Sequence, residues 1–523
     1  MKISPNKRIA INIFASYFRS IIVLVCGLVT GRWSLMALGE VDYGLLFLVG
    51  GMMFFVTFFN SLLAGGIARF YAYSVGESQK DSNLGLEKCR QWFNTALLIH
   101  TVLPVILVII GFPLGIYAIR HWLTVPLDRV NDCCWVWGWS CISGFIGMIT
   151  VPFNSFYYAK QYFFEPVIYS VSCTILNVFF IYYIVTHEGH WLVPVAIAMC
   201  IFQAIPDIIL AIRAKLTFPE CRINRKYLWL PSRIKELLKY SGWMLFGNCA
   251  FMAKSQCLAI LLNKYFGPKV NSAMSISNHV SGKTTIFSNG MIGALAPAIA
   301  NACGAKDYTR MQQLAFMACR FATMLTLFVI LPVSLEINKL LELWLEKPPQ
   351  YTAGLCLFVF MMVVIDQMAV GHMLAITANG KIALYQGVLG SVLIFTFPLA
   401  WILIVCGCGV YSIGISLVIT MLLCSVGRVL FARYLVNMSG FRWIKEVIVP
   451  LFILIILSGG IGYLPHFFME SSILRIFVTG CITESVFCCI AWFLILSAEE
   501  RKLFMDKINN FLAKMKKKDA EAD

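Results

Sequence analysis

Apolar runs of about 20 residues recur along the chain between short polar connections, each long enough to cross a hydrocarbon core about 30 Å thick. The pattern predicts fourteen spans, over 9–31, 43–67, 91–118, 134–157, 166–186, 191–212, 241–263, 270–300, 312–336, 352–378, 382–405, 409–432, 446–464 and 473–497. No stretch between them is long enough to fold as a soluble domain, so the expected fold class is an all-α polytopic membrane protein. Sliding residues 9–80 by 228 positions sets Phe18 on Phe246, Gly39 on Gly267, Thr57 on Thr285, Gly65 on Gly293, Ala68 on Ala296 and Gly76 on Gly304. This aligns span one with seven and span two with eight in the same orientation. Such parallel repeats are related by an axis along the membrane normal, with the substrate path in a central cavity between two bundles. The expected division is a first bundle over 1–212, a basic linker over 213–240 and a second bundle over 241–434. Two further spans follow in 435–497, and a basic tail in 498–523.

The composition agrees with that pattern: 59% of residues are hydrophobic and 13% charged, with a mean hydropathy of +0.79, where a soluble chain carries about 25% charged residues. Lys2, Lys7 and Arg8 precede the first span, which is too long for a signal-peptide core and has no small-residue cleavage site after it. With both termini in the cytoplasm, about 30 of the 42 Lys and Arg fall in cytoplasmic segments and about 8 in outer loops. The net charge of +16 therefore reads as topology and contact with lipid headgroups, and nucleic acid is not an expected partner. Most of the 19 cysteines lie within apolar spans, where Cys behaves as a small hydrophobe.

Polar residues inside the spans carry the functional signal. Arg19 stands about halfway along span one, roughly 15 Å from either surface, farther than its side chain can snorkel. With Asn12, Ser16, Cys26 and Thr30 it forms one polar stripe on an apolar helix, which points to a water-filled or substrate-filled interior or to a buried pair. Span eight is the most polar: Ser275, Asn278, His279, Gly282, Thr285 and Asn289 share a face, with Lys283 at its edge. Lys254, Arg320, His372 and Glu484 are further ionisable groups within spans, open to structural or functional roles, and Arg69 lies near a cytoplasmic boundary. Asp366 is deep in an apolar run, where an acid either pairs with a base or titrates.

Several chemistries are excluded. Gly282-Lys283-Thr284 imitates the end of a phosphate-binding loop, but Ser277 replaces the required first glycine and the segment reads as membrane helix. No nucleotide or other cofactor is expected, which leaves an ion gradient or the substrate's own gradient as the driving force. His187-Glu188-Gly189-His190 lacks the histidine spacing of a zinc protease, so no metal site is expected.

The stretch Leu38-Gly39-Glu40-Val41-Asp42-Tyr43-Gly44, followed by an apolar helix and then Gly66-Ile67-Ala68-Arg69-Phe70, resembles the first two helices of polysaccharide repeat-unit flippases. These belong to the multidrug/oligosaccharidyl-lipid/polysaccharide (MOP) exporter superfamily. The resemblance implies the MATE-like fold and a flippase of the bacterial inner membrane. Its cargo would be undecaprenyl-pyrophosphate-linked oligosaccharide, moved outward by alternating access with H+ or Na+ coupling. Arg19 and Lys283 would hold the pyrophosphate, a dense anion that needs charge-assisted bonds. Asn278, Thr285 and Asn289 would meet the sugars, with His279, Lys254 and Arg69 as further binding candidates and Asp366 as the ion-coupling acid. The other readings are a lipid II flippase, a MATE-type drug/ion antiporter and, in a different class, a polytopic polymerase or ligase. An antiporter of cations would carry acids in its cavity, where here bases outnumber Asp366 and Glu484. An enzyme of that last kind would be expected to show a long outer loop.

Overall fold

The computed structural model describes residues 5–78, 82–123, 125–345, 348–497, 500–502 and 505. Lys2 and most of the expected tail therefore lie outside the described residues. Among the described residues all regular structure is helical. The first part of the chain forms α1 (Pro5–Gly51), α2 (Phe54–Glu77), α3 (Ser82–His121), α4 (Val130–Ala159), α5 (Phe164–Thr186) and α6 (Leu192–Thr217). After a short α7 (Arg225–Leu228) come α8 (Pro231–Phe266), α9 (Pro268–Thr284), α10 (Ile286–Gly304), α11 (Tyr308–Leu335) and α12 (Ile337–Leu345). Next are α13 (Thr352–Met368), α14 (Val370–Asn379), α15 (Ala383–Val405) and α16 (Ser412–Val436). The chain ends in α17 (Gly440–Trp443), α18 (Val449–Gly462), α19 (Pro465–Phe468) and α20 (Ile473–Ile490).

Twelve of the described helices are long and apolar enough to cross a membrane, or thirteen when α13 and α14, bent by 46° at Ala369, count as one span. The expected second span, 43–67, has no counterpart in that count; it covers the end of α1 at Gly51 and the start of α2, which runs on to Glu77. The expected eighth span is divided at Thr285 into α9, rich in Ser and Asn, and the apolar α10.

The internal repeat is written in the backbone. Gly39 interrupts α1 at φ 71°, ψ 173°, and Gly267 separates α8 from α9 at φ 81°, ψ 177°. That region is open to glycine almost alone, and the two glycines are displaced by the same 228 positions as the rest of the repeat. Each ends the first helix of its repeat in the same way, and Pro268, at the first position of α9, suits the restart.

Two compact units emerge. Unit one comprises Met1–Ala250, Asn289–Ala315 and Leu374–Gly390; unit two comprises Phe251–Ser288, Phe316–Met373 and Ser391–Asp523. In unit one α4 is the central element, packed against α2, α3 and α6. Val136 and Trp137 of α4 meet Leu45, Val49, Ile119, Ile184 and Val195, all buried, and the Trp137 indole donates to the Phe112 carbonyl at 3.1 Å. In unit two α13 packs on α9 and α16, around Leu258, Leu262, Ala273, Leu355, Val359, Ile413 and Leu417.

The last helices are tied to α11 by ions. Glu336, in the break between α11 and α12, has a side chain only 1% exposed. Both its oxygens accept from Arg475, each at 2.9 Å, and Oε1 also accepts from Thr479 at 3.0 Å. Nε2 of His466 lies 3.4 Å from the same oxygen. A two-pronged guanidinium bond of this kind fixes direction as well as distance.

Candidate functional site

Arg19 opens onto a cavity within unit one. Ser16, Arg19, Ser20 and Val23 of α1 form one wall, Tyr158, Phe163 and Val167 another, and Asn289, Gly290 and Gly293 of α10 the third, around a volume of about 360 Å³. Arg19 is exposed, whereas Asn12 at the start of the same stripe is buried and donates to the Gln161 carbonyl at 3.0 Å. The stripe therefore changes role along the helix, from anchoring α1 to facing open space. The Ser20 hydroxyl is turned back onto the Ser16 carbonyl at 2.9 Å. Gly290 of α10 sets the width here: a methyl on it would press on the Tyr17 ring at 3.1–3.2 Å.

Two residues that sequence reasoning passed over belong to this neighbourhood. Asp207, the one acid inside the expected span 191–212, accepts from Asn154 Nδ2 at 2.8 Å and lies close enough to Arg19 for their charges to attract. Asn154 Oδ1 is buried with no hydrogen-bond partner. A guanidinium, a carboxylate and an amide on α1, α6 and α4 thus share one region of unit one. The lone acid in an apolar run was the signal available for Asp207.

Unit two holds most of the other predicted residues. α9 has two polar faces. Ser277, Ser281, Thr284 and the following Ser288 are buried, and Ser277, Thr284 and Ser288 bond carbonyls three or four residues back, at 2.8, 2.8 and 3.0 Å. Ser275, Asn278, His279, Gly282 and Lys283 are exposed. Thr285, at the break, is half-buried and bonds the Gly282 carbonyl at 3.2 Å. Of the predicted binding residues, Arg19 and Asn289 share the cavity of unit one, and Asn278, His279, Lys283 and Thr285 share one helix of unit two.

Asp366 has partners. Its Oδ1 lies 2.7 Å from Arg428 Nη1, which also donates to the Asp366 carbonyl at 3.1 Å, and Gln367 Nε2 lies 3.5 Å from Oδ2. Lys254, 5% exposed, feels the same carboxylate and sits 4.6 Å from the Phe251 ring centre. Arg428 is four residues from the end of the expected span 409–432, where a base reads as an anchor at the membrane surface, which hid it from the sequence analysis. Arg69 is engaged too: Nε and Nη2 donate to the Ala378 carbonyl at 3.2 and 2.9 Å, at the end of α14, among the rings of Phe70, Tyr73 and Tyr240. His372 is buried, with Nδ1 3.6 Å from Cys319 Sγ. Arg320 pairs with Glu500 at 2.9 Å and donates to the Ile495 carbonyl at 3.2 Å.

Residues 244–402 match the MatE family. No curated protein shows significant sequence similarity to the chain. Solved structures share its fold. A MOP superfamily transporter from Pyrococcus furiosus Vc1, described as having a binding pocket of reverse polarity that suggests a different function, is 16% identical with a TM-score of 0.66, over 83% of this chain and 97% of that one. A multidrug resistance MATE transporter of the MOP superfamily in an outward-facing conformation is 16% identical with a TM-score of 0.67, over 83% and 96%. A MATE protein in its bent conformation is 15% identical with a TM-score of 0.65, over 83% and 96%. The fold of this chain is that of MOP-superfamily MATE transporters.

Proposed function

We infer that the chain is a transporter of this superfamily. Its cargo is an anionic lipid-linked oligosaccharide, the undecaprenyl-pyrophosphate-linked repeat unit, carried outward across the bacterial inner membrane by alternating access. The observation that carries the reading is Arg19: an exposed guanidinium in mid-span, opening onto a cavity that also presents the Ser16 and Ser20 hydroxyls and the Asn289 amide. A pyrophosphate takes a planar two-pronged donor, and sugars take hydroxyl and amide partners. Lys283, His279 and Asn278 on the exposed face of α9 add a second basic and polar surface to the same chemistry.

Coupling to H+ or Na+ follows from the acid beside the base. An anionic cargo bonded to Arg19 competes with Asp207 for its charge, and the freed carboxylate then takes up the ion. Asp366 was the acid that the sequence favoured for this task. Its bond to Arg428 makes Asp207 the better candidate, since an acid already neutralised by a guanidinium gains less from a cation. The Asp207–Asn154 pair also favours a second reading, a MATE-type antiporter that exports a cationic compound against the same ion. An enzyme of the polymerase or ligase class has no supporting observation.

Transport in vesicles tests the cargo. The Arg19→Ala protein should lose uptake of lipid-linked oligosaccharide while remaining in the membrane at normal abundance, and Arg19→Lys should retain part. Normal uptake by Arg19→Ala, or uptake of cationic dyes in its place, would overturn the oligosaccharide reading. Reporter fusions after Tyr227 test the orientation: activity of a periplasm-dependent reporter there would contradict a cytoplasmic linker.

A further inference from the structure

Within unit one an apolar groove runs between α3 and α4. Val108, Phe112 and Ile116, on successive turns of α3, form one wall, and Trp135, Gly138 and Ile142 of α4 form the other, around a volume of about 780 Å³. Small-ligand sites fall in the range of about 300–1,000 Å³. Trp137 pins the two helices beside the groove: its indole donates to the Phe112 carbonyl at 3.1 Å, and a methyl on Gly115 would strike that ring. The groove is therefore built into the α3–α4 pairing. Gly138 gives it depth, since an added methyl there meets only the Phe112 ring, at 3.7 Å.

Its place along the helices says what covers it. Both helices are long and apolar enough to cross a membrane, and Phe112, Trp135 and Ile142 are exposed within those apolar stretches. The surroundings there are hydrocarbon, so the occupant is a lipid chain. A chain that leaves the bilayer for this groove gains no hydrophobic energy, because lipid tails are as apolar as its walls. Retention of one lipid then depends on packing and on a polar anchor at the groove's end. The end nearest the α3–α4 connection supplies that anchor. Arg120 continues the row of Val108, Phe112 and Ile116 by one turn, and Asn131, which lines the groove, precedes Trp135 by one turn on the facing helix. Helix side chains lean toward the N-terminus, which carries Arg120 back over the turn of Ile116. Arg120 is exposed and makes no ion pair among the described residues. The acids at this end, Asp42, Asp128 and Asp132, gather instead on Arg129, at 3.0, 3.9 and 3.6 Å.

We propose that the α3–α4 groove holds one acyl chain of a glycerophospholipid, with the lipid's phosphate on Arg120 and an ester carbonyl on the Asn131 amide. A guanidinium bonds two phosphate oxygens at once, and an amide N–H donates to a carbonyl. The site shares no residue with the Arg19 cavity. It needs only that the two helices span a membrane, so it does not rest on the cargo reading.

Photolabelling of the full chain in an uncharged maltoside detergent tests it. The probe is a phosphatidylethanolamine with a photoactivatable diazirine on one acyl chain, and peptide mass spectrometry locates the label. Labelling should saturate with probe and concentrate on 108–116 and 131–145, well above the exposed apolar residues of α5 such as Phe179. Unlabelled phosphatidylethanolamine should displace the probe, and diacylglycerol, which has the same chains without the phosphate, should not. Gly138→Leu, which fills the groove, should reduce labelling to the level of α5. Arg120→Gln should weaken probe binding by roughly tenfold, the loss of one charge-assisted bond, and Arg120→Lys should retain part. Labelling spread evenly over the exposed helices would overturn the proposal, as would displacement by diacylglycerol as effective as by the phospholipid, or unchanged binding in Arg120→Gln. Displacement by undecaprenyl phosphate at lower concentration than by phosphatidylethanolamine would overturn the phospholipid as occupant. If Gly138→Leu fails to accumulate, Arg120→Gln decides, since an exposed side chain in the last turn of α3 is exchanged without disturbing the core. No transported cargo enters the measurement, so its failure leaves the Arg19 reading standing, and Arg19-independent uptake leaves this site standing.

Discussion

Arg19 in unit one and the Lys254–Asp366–Arg428 group in unit two present the same feature to a sequence, a charge inside an apolar run, and the structure gives them opposite surroundings. Arg19 is exposed to a cavity, and its nearby acid is bonded to an amide of a third helix. Arg428 and Lys254 surround a carboxylate that also takes a bond from its neighbour Gln367. The comparison teaches that a charge in a span marks function through the bonds it has left to give. A paired ion group fixes helices, whereas one that faces open space can bind and release.

The largest expected effect tests the paired side. Asp366→Ala leaves the buried Lys254 and the half-buried Arg428 without their acid and, with the carboxylate itself partly exposed, should cost about 2–3 kcal/mol, seen as a clear fall in melting temperature and in membrane abundance. A melting temperature within a degree of wild type would place Asp366 on the open side of the comparison. Next comes Arg19→Ala, which should leave stability nearly unchanged and weaken binding of lipid-linked pyrophosphate by roughly tenfold to a hundredfold, the loss of one charge-assisted bond of about 1.5–3 kcal/mol. Equilibrium binding in detergent measures it, and a stability loss as large as that of Asp366→Ala would erase the contrast. Asp207→Asn keeps the shape and the Asn154 neighbour but removes the charge, so uptake should lose its dependence on the imposed ion gradient while cargo affinity changes by no more than about threefold, under about 1 kcal/mol. Full gradient dependence in that variant would return the coupling role to another acid. The smallest effect is expected from Gly290→Ala, whose methyl must displace the Tyr17 ring by a few tenths of an ångström. Narrowing the cavity there should lower uptake by a factor of about two, at a cost of about 1 kcal/mol or less.

The spans and the repeat were legible because both rest on strong local rules. Apolar length decides a crossing, and Gly39 on Gly267 was one of six identities in the shift by 228 positions; that both glycines break a helix in the same conformation is visible only in the backbone. The polar face of α9 was legible only in part. Ser277, Ser281, Thr284 and Ser288 are polar too, yet they are buried, and the hydroxyls of Ser277, Thr284 and Ser288 bond carbonyls of the preceding turn. Arg428 and Asp366 are 62 positions apart and Asp207 and Asn154 53, on helices whose packing no local pattern specifies. Their pairing therefore had to wait for the fold.

The Glu336–Arg475 bond has a consequence during synthesis of the chain. Its two ends are 139 residues apart, and a ribosome adding about 5–20 residues per second needs on the order of ten seconds to supply the second. Throughout that interval α11 carries a carboxylate with neither its guanidinium nor the Thr479 hydroxyl. The nascent protein must hold this end of the helix in water or against the insertion machinery until the final hairpin arrives. A message cut short before Ser472 leaves the acid with the His466 imidazole, 3.4 Å away, but without the guanidinium and hydroxyl that complete its shell.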